Sequence, residues 1–265
     1  MSSPIELSVR AILFDSDGTL IDSTPAVKLT IARWCVAQGV GPRDFAAAHH
    51  GTRAVDVLRR FMRVPKLGSE CSEEELTREV EVLERSVGET AAKMKKEGKG
   101  QGIVMLPGVA GFLSELREGG ACWGIVTSAT ATHAYPALDA AGVGYEAPQV
   151  PFVVTGEMVS AGKPDPAPYL AGLAELRKLL PDLKPHEVLV VGDAPADLQS
   201  GKAAGCRVLG VCTGPVSAVE LLEAAGRVEG AVMVNHLDGR ALFPVEVVSC
   251  SREAIKLCIQ PLEVV

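Results

Sequence analysis

Hydrophobic and polar positions follow two different periods along the chain. Runs of three to five apolar residues, each ending at small or charged residues, predict buried strands. Apolar residues spaced three and four apart predict helices. The predicted strands cover residues 11–14, 122–126, 152–154, 188–191 and 207–211, and the helices alternating with them cover 107–119, 130–141, 166–180 and 196–204. This alternation predicts an α/β protein with a doubly wound parallel sheet, followed by one or two further strands beyond about residue 231.

Residues 22–104 differ from the rest, because their pattern is helical throughout and contains no strand signal. Ser23 and Pro25 indicate a helix start with a capping hydroxyl, and Ser72 with Glu75 forms a capping box. The predicted helices of this segment cover 26–38, 54–62 and 72 to about 96. The expected domains are an α/β core of 1–21 and 105–265 and an inserted all-helical cap of 22–104. Because the insertion follows the first strand, the cap can act as a lid over the strand ends.

Composition narrows the class of protein. Of the 265 residues 47% are hydrophobic, enough for a sizeable core, and the formal net charge is −7. A negative charge without a basic block argues against a nucleic-acid partner. The seven cysteines are scattered and form no Cys-x-x-Cys motif, which favours reduced thiols in a cytoplasmic protein over a disulfide framework or a zinc site. We find no signal-peptide pattern and no membrane-spanning run, and we expect a monomer or a weak dimer.

Two carboxylates, separated by one residue, follow the first predicted strand. Asp15 and Asp17 follow the apolar run 11–14, and Gly18 permits a tight turn after them. One carboxylate can attack an electrophile and form an acyl-phosphate, while the other transfers protons to a leaving group and from water. Both attract a hard divalent cation. An acidic β-turn is the alternative, whereas a calcium loop fits poorly because the pair follows a strand rather than a helix.

Other predicted strand ends carry groups suited to phosphate and metal. Thr127 and Ser128 offer hydroxyls to a phosphoryl oxygen, and Lys163, in a proline-stiffened loop, offers a point charge. Asp193 and Asp197 can reach the same metal if a helix starts between them. Taken singly, these residues are also typical of helix caps, a solvated lysine and an ordinary turn. Their joint occurrence at the carboxyl ends of parallel strands favours one catalytic site.

Four motifs resemble those of the haloacid dehalogenase superfamily, in its phosphatase branch with a helical cap. They are Asp15–Thr19, Thr127, Lys163-Pro164 and Gly192–Asp197, and the resemblance extends over about residues 10 to 240. It implies a Rossmann-like fold, with Asp15 as the nucleophile and Asp17 as the general acid and base. It implies that Thr127 and Lys163 hold the phosphate. It also implies a Mg²⁺ ion bound by the side chains of Asp15 and Asp193 and by the backbone carbonyl of Asp17.

A closer resemblance is to fungal glycerol-phosphate and 2-deoxyglucose-6-phosphate phosphatases. It rests on the segments His50–Arg53, Gly162–Leu170, Asp193–Pro195, Gly201–Cys206 and Val234–His236. The predicted substrate-binding residues are His50, Arg53, Thr127, Ser128 and Lys163. The pattern Gly192-Asp193 with Asp197 departs from these enzymes and is more similar to phosphoglycolate phosphatases, which leaves the substrate open.

The combined prediction is a magnesium-dependent phosphatase that hydrolyses a small phosphorylated sugar or polyol through an aspartyl-phosphate intermediate. Glycerol-phosphate and 2-deoxyglucose-6-phosphate are the substrate types that the resemblance implies. The alternatives are a phosphoglycolate phosphatase-like enzyme, a sugar phosphomutase of the same fold and a non-enzymatic binding protein. The complete set of charged residues argues against the last. The expected partner is a phosphorylated metabolite, with neither nucleic acid nor membrane.

Overall fold

The computed structural model describes residues 4–42, 45, 50–62, 72–144, 152–227, 232–234 and 245–259. Residues 235–236 of the fungal resemblance lie outside this set. The helices are α1 (Thr24–Gln38), α2 (Ala54–Met62), α3 (Glu73–Lys96), α4 (Val109–Glu118), α5 (Ala131–Ala140), α6 (Ala167–Leu179), α7 (Pro195–Ala203) and α8 (Ala218–Gly226). The strands are β1 (Ile5–Val9), β2 (Ala11–Phe14), β3 (Ile21–Asp22), β4 (Val104–Met105), β5 (Cys122–Val126), β6 (Val153–Val154), β7 (Val188–Gly192), β8 (Arg207–Val211), β9 (Val232–Val234), β10 (Val245–Cys250) and β11 (Ile255–Ile259). Among these helices, none combines the length and the apolar composition that crossing a membrane requires.

The described strands include six that form one parallel sheet, in the order β6-β5-β2-β7-β8-β9. Strand β2 lies between β5 and β7, with Phe14 level with Ile125 on one side and Val191 on the other. Successive side chains along a strand point to opposite faces of the sheet. Phe14 therefore belongs to one hydrophobic cluster and Leu13 to another. The sheet is covered on both faces, which confirms the predicted doubly wound α/β fold.

Helices α1, α2 and α3 pack around a separate hydrophobic cluster. It contains Trp34 of α1, Leu58 of α2 and Leu83 of α3, all of them buried. At the two ends of this segment, β3 and β4 pair in antiparallel fashion, with Asp22 opposite Val104. The prediction of a segment without any strand is therefore wrong at its ends. Strands of two residues have no period to detect, and only the contact between distant parts of the chain creates this pair.

The start of α1 differs from the prediction in one bond. Ser23 is the N-cap residue, but its side chain makes no capping hydrogen bond. Its hydroxyl instead donates to the carboxylate of Asp17. The carboxylate of Asp22 accepts from the backbone N–H of Thr24 at 3.0 Å and so satisfies a free donor of the helix start. The predicted helix is confirmed, whereas its predicted capping hydroxyl is wrong, because the serine serves the neighbouring turn.

A three-stranded antiparallel sheet, in the order β1-β11-β10, joins the two ends of the described chain. Val9 pairs with Ile255, and both are buried in the cluster on one face of the central sheet. The sequence analysis misses β1 because its partner lies at the far end of the chain and its own residues are mostly exposed. Helix α8 is absent from the predicted elements, although Ser217 and Glu220 form a capping box at its start.

Candidate active site

Asp15 lies at the carboxyl end of β2, where it meets Lys163. The backbone N–H of Asp15 donates to the carbonyl of Val191 at 2.8 Å and continues the sheet. The Lys163 Nζ lies 2.7 Å from Asp15 Oδ1 and 2.7 Å from Asp197 Oδ1. It also donates to the carbonyl of Val126 at 2.9 Å. Lys163 is only 3% exposed, and a buried ammonium is tolerated where opposite charge and hydrogen bonds surround it.

Asp197 binds Lys163, and further hydrogen bonds hold its carboxylate in that position. Its Oδ1 accepts from the Tyr169 hydroxyl at 2.8 Å, and its Oδ2 accepts from the Ala194 N–H at 3.1 Å. The sequence analysis expects Asp197 to reach a metal together with Asp193. The structure gives it a different task, since its oxygens hold the ammonium of Lys163 and the start of α7.

Asp193 follows β7 and is 1% exposed. Its Oδ1 accepts from the Thr19 hydroxyl at 3.3 Å, and its Oδ2 lies 2.8 Å from His50 Nε2. Two glycines leave room for this carboxylate, because a Cβ on Gly18 or Gly214 would lie 2.2 or 1.5 Å from Asp193 Oδ2. Gly18 also has a φ of +87°, a backbone conformation that favours glycine.

The carboxylates of this site fit a divalent cation. One oxygen each from Asp15, Asp193 and Asp197 lies within 4.8 Å of the others. Carboxylate oxygens are the ligands that Mg²⁺ prefers, and buried carboxylates this close repel one another unless positive charge is added. Asp197 already binds the Lys163 ammonium, the Tyr169 hydroxyl and the N–H of Ala194. Asp193, in contrast, accepts a longer bond of 3.3 Å from Thr19 and contacts His50, so Asp15 and Asp193 are the better candidates to hold the ion.

The pKa values of this group reflect burial among charges. Burial raises the pKa of Asp15 well above its ordinary value, although the charge of Lys163 opposes the shift. Burial also raises the pKa of Asp193, against the hydrogen bond from His50. Burial alone would lower the pKa of Lys163, but Asp15 and Asp197 outweigh it and raise that pKa. The ammonium therefore stays charged in the folded protein.

Asp17 has different neighbours. Its Oδ1 accepts a hydrogen bond from Ser23 Oγ and lies 3.0 Å from His133 Nε2. Burial would raise the pKa of Asp17, but the charge and hydrogen bond of His133 outweigh it and lower that pKa. Burial would lower the pKa of His133, and Asp17 reverses this too, so the pKa of the imidazole is raised. The buried imidazole and the partly buried carboxylate therefore favour each other's charged forms.

The sequence analysis does not identify His133 or the residue behind it, Glu84. His133 lies in α5 and is 6% exposed, and a single histidine on a helix carries no motif. Glu84 of α3 accepts from the Thr130 N–H at 3.1 Å and from the Thr130 hydroxyl. Burial raises the pKa of Glu84. Only the packing of α3 against α5 brings these groups to the site.

Thr127 and Ser128 follow β5, the strand next to β2. Thr127 Oγ1 accepts from the Ala129 N–H at 3.1 Å, and Ser128 Oγ donates to the carbonyl of Gly51 at 3.0 Å. Both residues line a cavity of about 650 Å³. Its walls also include Asp15, Asp17, Ser23, His50, Glu84 and His133. The structure therefore brings the predicted hydroxyls and both aspartates to one cavity. Lys163 binds Asp15, one of the lining residues.

Arg53 lies apart from the other predicted substrate contacts, whereas His50 lines the cavity. The Arg53 guanidinium donates to the carbonyl of Val159 at 2.8 Å and to Asp56 Oδ2 at 2.7 Å. Its side chain also rests against Gly162, where a Cβ would lie 2.8 Å from Arg53 Cγ. The expectation that Arg53 faces the substrate therefore differs from its observed position, because backbone carbonyls and a neighbouring carboxylate satisfy its donors.

Known proteins resemble this chain in sequence. The profile of the haloacid dehalogenase-like hydrolases matches residues 12–211. The chain is 39% identical over 203 residues to hexitol phosphatase A of Escherichia coli, covering 76% of this chain and 82% of that protein. It is 32% identical over 219 residues to glycerol-1-phosphate phosphohydrolase 2 of Saccharomyces cerevisiae, covering 80% and 78% of the two chains.

Solved structures show the same fold. A hydrolase from Pseudomonas syringae superposes with a TM-score of 0.65 and 25% sequence identity, covering 88% of this chain and 99% of that chain. CbbY from Rhodobacter sphaeroides, in complex with phosphate, superposes with a TM-score of 0.65 at 22% identity over 86% of this chain and 93% of that one, a likeness of fold alone. The profile match covers more than half of the chain, from β2 to the end of β8. The chain belongs to the haloacid dehalogenase-like hydrolase family.

Proposed function

We propose that this protein is a magnesium-dependent phosphatase that hydrolyses phosphate monoesters of small sugars or polyols through an aspartyl-phosphate intermediate. That it is an enzyme of the phosphatase type follows from its family and its phosphatase relatives. The contact between Lys163 and Asp15, with Nζ 2.7 Å from Oδ1 and Asp193 close by, carries the mechanism. A fixed cation, a carboxylate and metal ligands at one sheet edge are the groups that phosphoryl transfer needs.

Asp15 and Asp193 would hold the magnesium ion with their side chains, and the backbone carbonyl of Asp17 would add a third ligand. The bound ion supplies positive charge that stabilises the oxygens of the transferring phosphoryl group. The closeness of the carboxylates supports this assignment, as do Gly18 and Gly214, whose missing side chains admit Asp193.

Asp15 is the nucleophile in this mechanism. Its carboxylate attacks phosphorus while the bond from phosphorus to the leaving alcohol breaks, and Asp17 gives its proton to that alcohol. In the second step Asp17 takes a proton from water as the water oxygen attacks phosphorus. The bond from phosphorus to Asp15 then breaks, inorganic phosphate leaves, and both carboxyl groups return to their starting states.

Three residues hold the phosphoryl oxygens in place. Lys163 contributes a fixed positive charge, because the pKa of its ammonium is raised and its side chain is buried. Thr127 and Ser128 contribute hydroxyls at the carboxyl end of β5, the strand next to β2. Donors that stand ready before the reaction stabilise the charge of the transition state at little cost in reorganisation.

Residues 22–104 act as a cap that closes over the substrate. The separate hydrophobic cluster of α1, α2 and α3 and the narrow β3–β4 connection support this division. His50 is the proposed cap contact to the substrate, since it lines the cavity. Arg53 holds the cap loop against the loop of Lys163 through its bond to Val159. Relatives named for hexitol, glycerol-1-phosphate and 2-deoxyglucose-6-phosphate support a small sugar or polyol ester as the substrate.

The test is a screen of purified protein with phosphates of glycerol, hexitols and 2-deoxyglucose, with magnesium and with excess EDTA. We expect release of inorganic phosphate only with the metal. Asp15→Asn should reduce it to the background of the preparation, because an amide is not nucleophilic enough to replace the carboxylate. Near-native turnover by Asp15→Asn, purified free of host phosphatases, would disprove the assignment.

Two alternatives give other products in the same screen. Phosphoglycolate phosphatases of Salmonella are 28–29% identical to the chain, so phosphoglycolate belongs among the substrates tested. A phosphomutase would move the phosphoryl group to a second hydroxyl of the sugar, and phosphorus NMR of the products distinguishes this from hydrolysis. Conversion of the substrate into a different phosphate ester, without release of inorganic phosphate, would favour the mutase.

A further inference from the structure

One oxygen of Asp17 is held from two sides. Ser23 Oγ donates to Oδ1, and His133 Nε2 lies 3.0 Å from the same oxygen. The two donors come from different parts of the fold, one at the start of α1 and the other on α5. Because both bind Oδ1, the carboxyl group is oriented with Oδ2 as the oxygen available to a ligand in the cavity.

The helix that carries His133 is itself anchored at its first residues. Glu84 of α3 accepts from the Thr130 N–H at 3.1 Å and from the Thr130 hydroxyl. Glu157 accepts from the Ala131 N–H at 2.8 Å. Two carboxylates therefore satisfy the free donors of this helix start, one from the helical segment and one from the α/β part. The start of the helix that carries the imidazole is therefore held by both parts of the protein, and Glu84 of α3 is linked to Asp17 through Thr130 and α5.

We infer that His133 is a positioning residue for Asp17, and that Glu84 keeps it in place when the cap is closed. This inference rests on the proposed function, in which Asp17 is the general acid and base. In the first step the proton on Oδ2 passes to the oxygen of the leaving alcohol as its bond to phosphorus breaks. In the second step Oδ2 takes a proton from the attacking water. Oδ1 accepts from His133 and Ser23 throughout, so only Oδ2 exchanges protons with the substrate.

The leaving group provides the test. An alcohol such as glycerol leaves poorly and needs a proton, whereas para-nitrophenolate leaves without one. We expect His133→Leu to lower kcat/KM for glycerol-1-phosphate by about 10- to 100-fold, within the range of general acid catalysis, because this ratio reports only the steps up to the departure of the alcohol. With para-nitrophenyl phosphate, kcat/KM should fall less than about 3-fold, whereas its kcat still depends on Asp17, which activates water in the second step. His133→Gln, which keeps an N–H donor at a similar reach, should recover most of the loss.

Matched variants separate this inference from its alternatives. The exposed His186 provides the control, since His186→Gln should leave both substrates unaffected. If His133→Leu does not fold, Ser23→Ala removes the second donor to Oδ1 and should show the same preference for the good leaving group. Equal losses of kcat/KM for both substrates would overturn the inference and make His133 a structural residue. If Asp17→Asn itself lowers kcat/KM equally for the two substrates, the proposed function fails instead.

Discussion

The two aspartates of the site stand two residues apart, yet their surroundings differ. Asp15 faces the α/β part, where Lys163 contributes positive charge and Asp193 and Asp197 contribute negative charge. Asp17 lies between the two parts, where Ser23 at the start of α1 and His133 of α5 hold it. Burial raises the pKa of Asp15 well above its usual value, whereas the neighbours of Asp17 overcome burial and lower its pKa. Position in the sequence does not set these directions, because the neighbours come from other elements.

In the proposed reaction, the bound ligands shift the pKa values of Asp15 and Asp17 in the opposite directions. A cation bound to Asp15 favours its carboxylate and lowers its pKa. A phosphate ester beside Asp17 adds negative charge and raises the pKa of that carboxyl group. In the proposed reaction, metal and substrate together therefore favour an ionised Asp15 and a protonated Asp17. One short turn would thereby supply two carboxyl groups for opposite tasks.

Removing the ammonium of Lys163, which pairs with Asp15, should have the largest effect on activity. Lys163→Met leaves Asp15 and Asp197 buried without their shared partner. We expect kcat to fall by about 10³-fold, and the free energy of unfolding to fall by about 3–5 kcal/mol. Steady-state kinetics and urea denaturation measure the two effects. The matched control is Lys178→Met, because Lys178 is an exposed partner of Glu175 and its loss should cost less than about 0.5 kcal/mol. Activity within ten-fold of the native protein would contradict the central role of Lys163.

Filling the space beside Asp193 should have the next largest effect. The Cβ in Gly214→Ala would fall 1.5 Å from Asp193 Oδ2, so the carboxylate must leave its position in the group with Asp15 and Asp197. We expect the magnesium concentration for half-maximal activity to rise by about 10- to 100-fold. Gly226→Ala is the control, since a Cβ there meets nothing within 4 Å. A magnesium titration that coincides with that of the control would show that Asp193 does not hold the ion.

The interaction between His133 and Asp17 should make a smaller contribution to the free energy of unfolding, and this contribution should depend on pH. The raised pKa of His133 means that its stabilisation is complete below pH 6.5, its ordinary value, and is lost as the pH rises through the folded value. The lowered pKa of Asp17 means that its stabilisation is present above pH 3.8 and is lost as the pH falls through the folded value. The pair should therefore stabilise the protein most between these two pH values.

Urea denaturation in EDTA can measure this dependence. We expect the difference in unfolding free energy between the native protein and His133→Leu to be larger by about 1 kcal/mol at about pH 5.5 than at about pH 9. The corresponding substitution His186→Leu controls for the loss of an exposed histidine. A difference independent of pH would mean that His133 and Asp17 do not form an ion pair in the folded protein.

Most of the central sheet and several site residues follow from local patterns. The strand 11–14 is a short apolar run that ends at two aspartates, and the same logic places Thr127 and Asp193 at strand ends. In a parallel sheet these ends lie on one edge, so residues far apart in the chain meet without any further information. Their convergence in the structure agrees with the prediction, while their catalytic roles stay predictions.

Arg53 and His133 show where this reasoning stops. Arg53 sits in a segment that resembles a substrate loop, yet its guanidinium binds the carbonyl of Val159. His133 carries no motif, yet it pairs with Asp17. Side chains of this length reach several partners, and the choice among them depends on how helices pack rather than on the residues beside them.

The sequence by itself determined the class of fold, the positions of most helices and strands of the α/β core, and the family, because apolar periodicity and short motifs act over a few residues. Only the tertiary structure decided the pairing of β1 with β11, the two-stranded β3–β4 connection and the partners of Asp17. Each of these joins residues that are distant in the chain, and no local pattern encodes a contact whose energy arises from burial and charge in the folded state.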